Sequence, residues 1–177
     1  QRILGEMDLV CKENCSEELR AKLQWLHALN LYKSKHYDES RQFFNGAYEL
    51  ALRTNDKKLQ ATIIYYLTWF EIQDNEYDAA IQYLNAGLKL AEEIKLNRLR
   101  RDLTSLFIDI YEQTGNYKEL AKAQAKYISL KDSIFNEELA ASLKNLELNN
   151  QRQQSELIIQ EKELELQRQR TILLLVA

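Results

Sequence analysis

The amino-acid sequence predicts an all-α protein built as a solenoid of paired helices. A tyrosine recurs every 40 residues, at Tyr37, Tyr77 and Tyr117, each time within a polar stretch that resembles the other two. A fixed period of this size is typical of helical repeat proteins. The 177 residues contain no proline and only four glycines. Because both residue types interrupt helices, long helices with short turns are expected.

Each period contains two apolar stripes with helical spacing, so each repeat is predicted to be a pair of helices. In the first stripe, Leu19, Leu23 and Leu26 are three or four residues apart. Ser16 precedes this stripe and is the candidate N-cap, because its hydroxyl can accept a hydrogen bond from the first turn. The predicted pairs cover residues 17–34 with 38–53, 56–73 with 77–95, and 98–114 with 117–131.

These repeats resemble tetratricopeptide repeats, in which small residues at the helix crossing let two backbones approach closely. The matching positions include Ala28, Ser40, Phe44 and Ala47 in repeat one, Thr68, Ala80, Leu84 and Gly87 in repeat two, and Ile108, Tyr111, Gly115 and Leu120 in repeat three. The sequence departs from the family at Glu71, where an apolar residue is usual, and at Leu120 and Gln124. The period is also longer than the usual 34 residues. Another α-solenoid or a plain helical bundle is the alternative.

A long helix with heptad spacing is predicted after the last repeat. Lys131, Asp132 and Ser133 are typical of a helix start, with Asp132 or Ser133 as the cap. The candidate dimer seam consists of Leu139, Leu143, Leu146, Leu157 and Leu164, with polar residues at Asn150 and Gln153. Heptad spacing favours pairing with a second copy as a coiled coil, and a solvated single helix is the alternative. The predicted fold is therefore a tetratricopeptide-like α-solenoid of period 40 followed by a long coiled-coil-like helix.

The segment after the repeats extends the resemblance to a family of signalling proteins common in Bacteroidetes. The resemblance rests on residues 131–138 (KDSIFNEE), the charged segment 161–170 and the apolar run 171–177. In that family, tetratricopeptide repeats and a coiled coil precede one transmembrane helix and then a histidine kinase or a helix-turn-helix domain. The resemblance implies a periplasmic sensor region of an inner-membrane protein, with residues 171–177 as the start of the membrane helix. The alternatives are a cytoplasmic tetratricopeptide adaptor and the repeat region of a transcriptional regulator.

The predicted binding surface is the concave face, which the first helix of each pair lines in a solenoid. Aromatic side chains dominate binding hot spots, so a protein or peptide is the expected partner. The candidate binding residues are Trp25, Tyr32, Tyr65, Trp69, Asp109 and Glu112. By the repeat register, Lys22, Leu29, Lys33, Thr62, Ile72, Gln73, Asp102, Ser105 and Gln113 face the same groove.

Other functional classes find little support in the sequence. No catalytic or cofactor motif occurs, and Cys11, Cys15, His27 and His36 do not have the spacing of a metal site. A net charge of −3 gives no reason to expect nucleic-acid binding. We therefore predict a chain that is not an enzyme, needs no cofactor or metal, and acts through protein contacts, although the parent protein can be a histidine kinase.

The predicted organisation has six segments. Residues 1–15 end a preceding repeat helix, and residues 16–55, 56–96 and 97–131 form repeats one, two and three. Residues 132–170 form the long signalling helix, and residues 171–177 begin the membrane helix.

Overall fold

The computed structural model describes residues 15–176, and in this part of the chain it is entirely helical. The helices are α1 (Glu17–Lys33), α2 (Tyr37–Arg53), α3 (Lys57–Gln73), α4 (Tyr77–Glu93), α5 (Asn97–Gln113) and α6 (Tyr117–Val176). The predicted all-α solenoid is confirmed, and the ends of α1 to α5 differ from the predicted ones by at most two residues. The helix end predicted at the amino terminus falls mostly on residues 1–14, which lie outside the described residues.

Every connection between consecutive helices is the same three-residue turn. Its middle residue has a left-handed conformation, with φ between 53° and 69°. The backbone N–H of the third residue donates to a carbonyl five positions back, as from His36 to Leu31. This is the Schellman arrangement, which satisfies the carbonyl groups at a helix end. The middle positions are Lys35, Asn55, Asn75, Lys95 and Gly115.

Helices α1, α3 and α5, here called the inner helices, form one face of the repeat unit. Helices α2, α4 and the first part of α6 are the outer helices. Small buried residues lie at the helix crossing in the first two pairs, as predicted: Ala28, Ser40 and Ala47 in the first, and Thr68 and Ala80 in the second. The Ser40 hydroxyl donates a hydrogen bond of 2.8 Å to the Ala28 carbonyl, which is possible only because the two backbones lie close together.

Polar contacts join neighbouring repeats at the turns. The Tyr77 hydroxyl donates to Gln113 Oε1 over 2.8 Å and so ties the start of α4 to the end of α5. The Arg41 guanidinium lies 2.6 Å from an Asp74 carboxylate oxygen and 3.8 Å from one of Glu71. It also lies 5.0 Å from the centre of the Phe70 ring. The departure at Glu71 is therefore explained by an ion pair with the preceding repeat.

The third helix pair is more open than the first two, because it lacks small residues at the crossing. Leu120, Gln124 and Tyr127 stand where repeat two has Ala80, Leu84 and Gly87. Helix α6 makes far fewer close backbone approaches to α5 than α2 makes to α1. A cavity of about 240 Å³ lies between α4, α5 and α6, with the stacked rings of Phe107 and Tyr111 in its wall.

Helix α6 corrects the predicted helix start at residues 131–133. It begins at Tyr117 and continues without a break to Val176, so Asp132 and Ser133 are interior helix residues rather than caps. The physical reason is that neither glycine nor proline follows Gly115, and Asp and Ser reduce helix stability only slightly in an interior position. The chain divides into two units at this point, one ending at Ser133 and the other starting at Ile134. Across residues 15–176, no helix combines the length and the apolar character needed to cross a membrane.

His27 provides a test of the packing in the first repeat. Its side chain is 7% exposed and meets the edge of the Phe43 ring at a centroid distance of 4.4 Å. Burial lowers the pKa of His27 below its usual 6.5, while the Glu39 carboxylate raises it by a smaller amount. The unfolded chain therefore takes up a proton at higher pH than the folded chain does.

The free energy of unfolding should accordingly fall as the pH drops below about 6.5, by at most ~1.4 kcal/mol per pH unit from this group. Above that pH, His27 is neutral in both the folded and the unfolded chain, so it does not make the free energy of unfolding depend on pH. Urea unfolding between about pH 5 and pH 8 measures the effect. His27→Gln should remove this part of the slope. An unchanged slope in the variant would assign the effect to other groups.

Candidate functional site

Aromatic side chains from repeats one and two meet on the inner face. The Tyr32 ring lies 5.0 Å from the Trp69 ring and 5.3 Å from the Tyr66 ring, both edge to face. Tyr37, the first residue of α2, lies 5.2 Å from Trp69. Edge-to-face pairs of this kind add to the stability gained from burial alone. The structure therefore brings two of the predicted binding residues, Tyr32 and Trp69, into one half-buried aromatic cluster.

Two predicted groove positions have a different environment. Trp25 is half-buried against the hydrophobic core of the first repeat, and its Nε1 makes no hydrogen bond within the described part of the chain. Ile72 is buried in the core that joins repeats two and three, so its assignment to the groove is wrong. The cause is its place in the last turn of α3, where the side chain turns towards α4 and α5.

A cavity of about 270 Å³ opens between the inner helices α3 and α5. Thr62, Tyr65 and Tyr66 line it from α3, and Leu99 and Asp102 line it from α5. Thr62 lies three residues before Tyr65 and four before Tyr66, and Leu99 lies three before Asp102, so each set lies on one side of its helix. Thr62, Tyr65 and Asp102 were predicted to face the groove, and the structure brings all three to the same cavity.

Carboxylates give this part of the inner face a negative potential. Burial raises the pKa of the Tyr65 hydroxyl, and the carboxylates of Asp102 and Asp109 raise it further. Partial desolvation likewise raises the pKa of Asp109, with an added effect from Glu112. Both shifts come chiefly from burial, and the nearby carboxylates add to them. Tyr65 therefore stays protonated at neutral pH and can donate a hydrogen bond.

Sequence reasoning missed Tyr37, Tyr66 and Leu99 as contributors to this face. Tyr37 was assigned only to the turn, although its recurrence in every repeat was a signal that it contacts the next inner helix. Tyr66 stacks on Phe44 with the ring centres 4.7 Å apart, and it also reaches the cavity. An aromatic residue that packs in the core and also lines the groove cannot be distinguished by its sequence position from one that only packs in the core.

The basic residues at the turn into repeat three form ion pairs. The Arg100 guanidinium lies 2.9 Å from a Glu92 carboxylate oxygen, and that of Arg101 lies 2.6 Å from Asp102 Oδ1. This cluster is a paired, partly solvated surface and offers no concentrated positive site for an anion. Within residues 15–176, no group of three or more His, Cys, Asp or Glu side chains is placed to hold a metal ion.

The predicted seam leucines lie in the second unit, on the later part of α6. All five are exposed, with 47% to 61% of each residue accessible: Leu139, Leu143, Leu146, Leu157 and Leu164. Exposed leucines at heptad spacing on one helix are typical of a surface that pairs with another helix.

Comparison with known proteins supports the fold. The crystal structure of aspartyl phosphate phosphatase F from Bacillus subtilis superposes with a TM-score of 0.67 at 16% sequence identity. The match covers 75% of this chain and 34% of that one, so the chain spans about a third of the length of the protein it matches. No family model and no curated protein matches the sequence. The fold thus defines a helical-repeat protein of the α-solenoid class.

Proposed function

We propose that this chain is the non-catalytic sensor or scaffold region of a bacterial two-component-type signalling protein. In this proposal, the inner face binds a protein or peptide, and helix α6 relays the binding event towards the membrane. The observation that carries the relay is the row of exposed seam leucines on α6. A change in helix pairing is a two-state event that can bias an output domain.

The exposed leucines favour a homodimer through α6. Burying apolar surface contributes about 25 cal/mol per Å², from which the entropic cost of association is subtracted, and the five leucines supply apolar surface along one stripe of the helix. Asn150 and Gln153 interrupt the row with polar side chains. Polar residues at seam positions reduce stability but specify register, as a signalling helix that changes its pairing requires.

A periplasmic location fits two observations. The segments 131–138 and 161–170 resemble those that precede the membrane helix in Bacteroidetes signalling proteins. Cys15 is disulfide-bonded in the structure, and Cys11 is the other cysteine of the sequence. Disulfides persist in oxidising compartments, which include the bacterial periplasm. The parent is then an inner-membrane protein with a kinase or DNA-binding output.

The test of the relay is the solution mass of the full chain by light scattering, for the wild type and two variants. The wild type should be a dimer. The double variant Leu143→Gln with Leu146→Gln should be a monomer, because two amides would replace leucines in adjacent layers of the seam. The control is Leu148→Gln with Leu166→Gln, which changes two exposed leucines of the same helix outside the seam. This control should remain a dimer.

Two results would contradict the relay. A monomeric wild type, or equal dissociation of both double variants, would mean that α6 does not pair through the predicted seam. The cytoplasmic adaptor would then be the better interpretation, with function confined to the inner face. Circular dichroism of each variant should show unchanged helix content, which separates loss of pairing from loss of folding.

A further inference from the structure

The cavity between α3 and α5 has features of a subsite for a positively charged side chain. At about 270 Å³ it is smaller than the roughly 300–1,000 Å³ of pockets that hold drug-sized ligands. It opens on the inner face rather than being closed inside the core. A cavity of this size suits one long side chain of a bound peptide.

The residues that line the cavity favour a positively charged side chain over a negatively charged one. Tyr65 and Tyr66 supply aromatic rings, which attract cations through the negative potential of the ring face. Asp102 supplies a carboxylate. The Thr62 hydroxyl donates to the Lys58 carbonyl over 2.8 Å, so its oxygen lone pairs are oriented to accept a further hydrogen bond. An anionic side chain would instead meet a like charge.

Two further carboxylates lie on the same face of α5. Asp109 follows Asp102 by seven residues, which is about two helical turns, and Glu112 follows three residues later. Both are exposed. Burial is the main cause of the raised pKa of Asp109, and the neighbouring Glu112 carboxylate adds to the shift. A bound cation would favour the charged form of both carboxylates.

We propose that this cavity binds a lysine or arginine side chain of a basic peptide segment, with Tyr65 and Tyr66 as its aromatic walls and Asp102 as its counter-ion. The proposal rests on the proposed function, in which the inner face binds a peptide, and it specifies the chemistry of that partner. Arg101 shares the Asp102 carboxylate, since its Nε and Nη2 both donate to Oδ1, at 2.9 Å and 2.6 Å. Because such partly exposed ion pairs contribute little to stability, an incoming cation can share or displace this partner.

The experiment uses three hexapeptides with blocked termini: one of six lysines, one of six glutamines and one of six glutamates. NMR titration measures the binding of each peptide to the full chain. The lysine peptide should bind and shift the backbone amides around Tyr65 and Asp102. Asp102→Asn should weaken it by about threefold to fivefold, since a partly exposed ion pair with the bound cation is lost. Tyr65→Leu should weaken it by about threefold to thirtyfold without any change in net charge.

The control for overall charge is Glu49→Gln, which removes one exposed carboxylate from the outer helix α2. It should change the affinity for the lysine peptide by less than about twofold. Thermal unfolding should show that all variants are folded. Equal weakening by Asp102→Asn and Glu49→Gln would mean that lysine peptides bind through net charge alone, and the cavity assignment would fall.

The remaining outcomes separate this inference from the proposed function. If the glutamine or glutamate peptide shifts inner-face amides and the lysine peptide does not, the inner face binds peptides but the cation subsite is wrong. If none of the three peptides shifts any inner-face amide, peptide binding by this face is contradicted as well.

Discussion

Replacing Phe44 by alanine should lower the free energy of unfolding by about 3–5 kcal/mol. The Phe44 side chain is fully buried, and its ring stacks on Tyr66 with an interplanar angle of 9°. It also lies 6.2 Å from the Phe70 ring. The Phe44 ring thus fills the interface between repeats one and two. Removing the ring leaves a cavity that the packed helices cannot close. Urea unfolding followed by circular dichroism measures the loss.

The repeat itself supplies the matched controls for this prediction. Leu84 and Gln124 occupy the same position in repeats two and three, 40 and 80 residues further on. Leu84 is fully buried, so Leu84→Ala should cost about 2–5 kcal/mol. Gln124 is exposed, so Gln124→Ala should change the free energy of unfolding by less than about 0.5 kcal/mol. A similar cost at all three positions would show that the third pair is packed like the other two.

The regular part of the fold could be predicted because two spacings agree: the apolar spacing within each helix and the 40-residue spacing of the tyrosines. Apolar spacing located each helix, and the recurring tyrosines located the turn within each helix pair. The turns themselves were harder, because four of the five left-handed positions are Lys or Asn rather than Gly. A left-handed lysine costs more than a glycine would, and tertiary packing of the flanking helices offsets that cost. No propensity rule identifies such a lysine from its neighbours.

The start of α6 was predicted, but its continuation through residues 131–133 was not, because the local signal at Asp132 and Ser133 is the same in a cap and in a helix interior. What decides between them is whether the preceding residues leave the helical conformation, and in α6 they do not. Ile72 shows the same limit in the candidate site. The repeat register assigned it to the groove, but its side chain is buried in a core that includes residues of α4 and α5.

The sequence located the inner face but not the cavity in it. Tyr65, Thr62 and Asp102 were each placed on this face by the repeat register. Their convergence depends on the distance between α3 and α5, which is a property of packing between repeats. The Tyr66 ring lies both in the core and in the cavity wall, so its position depends on the distance between α3 and α5. That distance cannot be predicted from a single sequence.

Gly87 offers the second large effect, because α4 lies close to α3 and α5 at this position. A Cβ atom at this position would lie 2.8 Å from Ile64 Cγ2 and 3.2 Å from Leu103 Cδ1. Ile64 and Leu103 are both fully buried, so neither can move without disturbing the core between repeats two and three. Gly87→Val should therefore destabilise the fold by about 3 kcal/mol, the upper part of the range for overpacked cores.

Gly46 is the control, since it is also a glycine in the middle of an outer helix. Its Cβ would meet only Gln24 Oε1 at 2.9 Å, the end of a flexible side chain that can rotate away. Gly46→Ala should then stabilise the chain by about 0.5–1 kcal/mol through helix propensity, whereas Gly87→Ala should destabilise it. If Gly46→Ala raises the free energy of unfolding and Gly87→Ala lowers it, then close packing of the backbone, rather than helix propensity, explains the glycine at position 87. If Gly87→Ala proved stabilising, α4 would have room to move away from α3 and α5, and the repeat-two crossing would be as loose as that of repeat three.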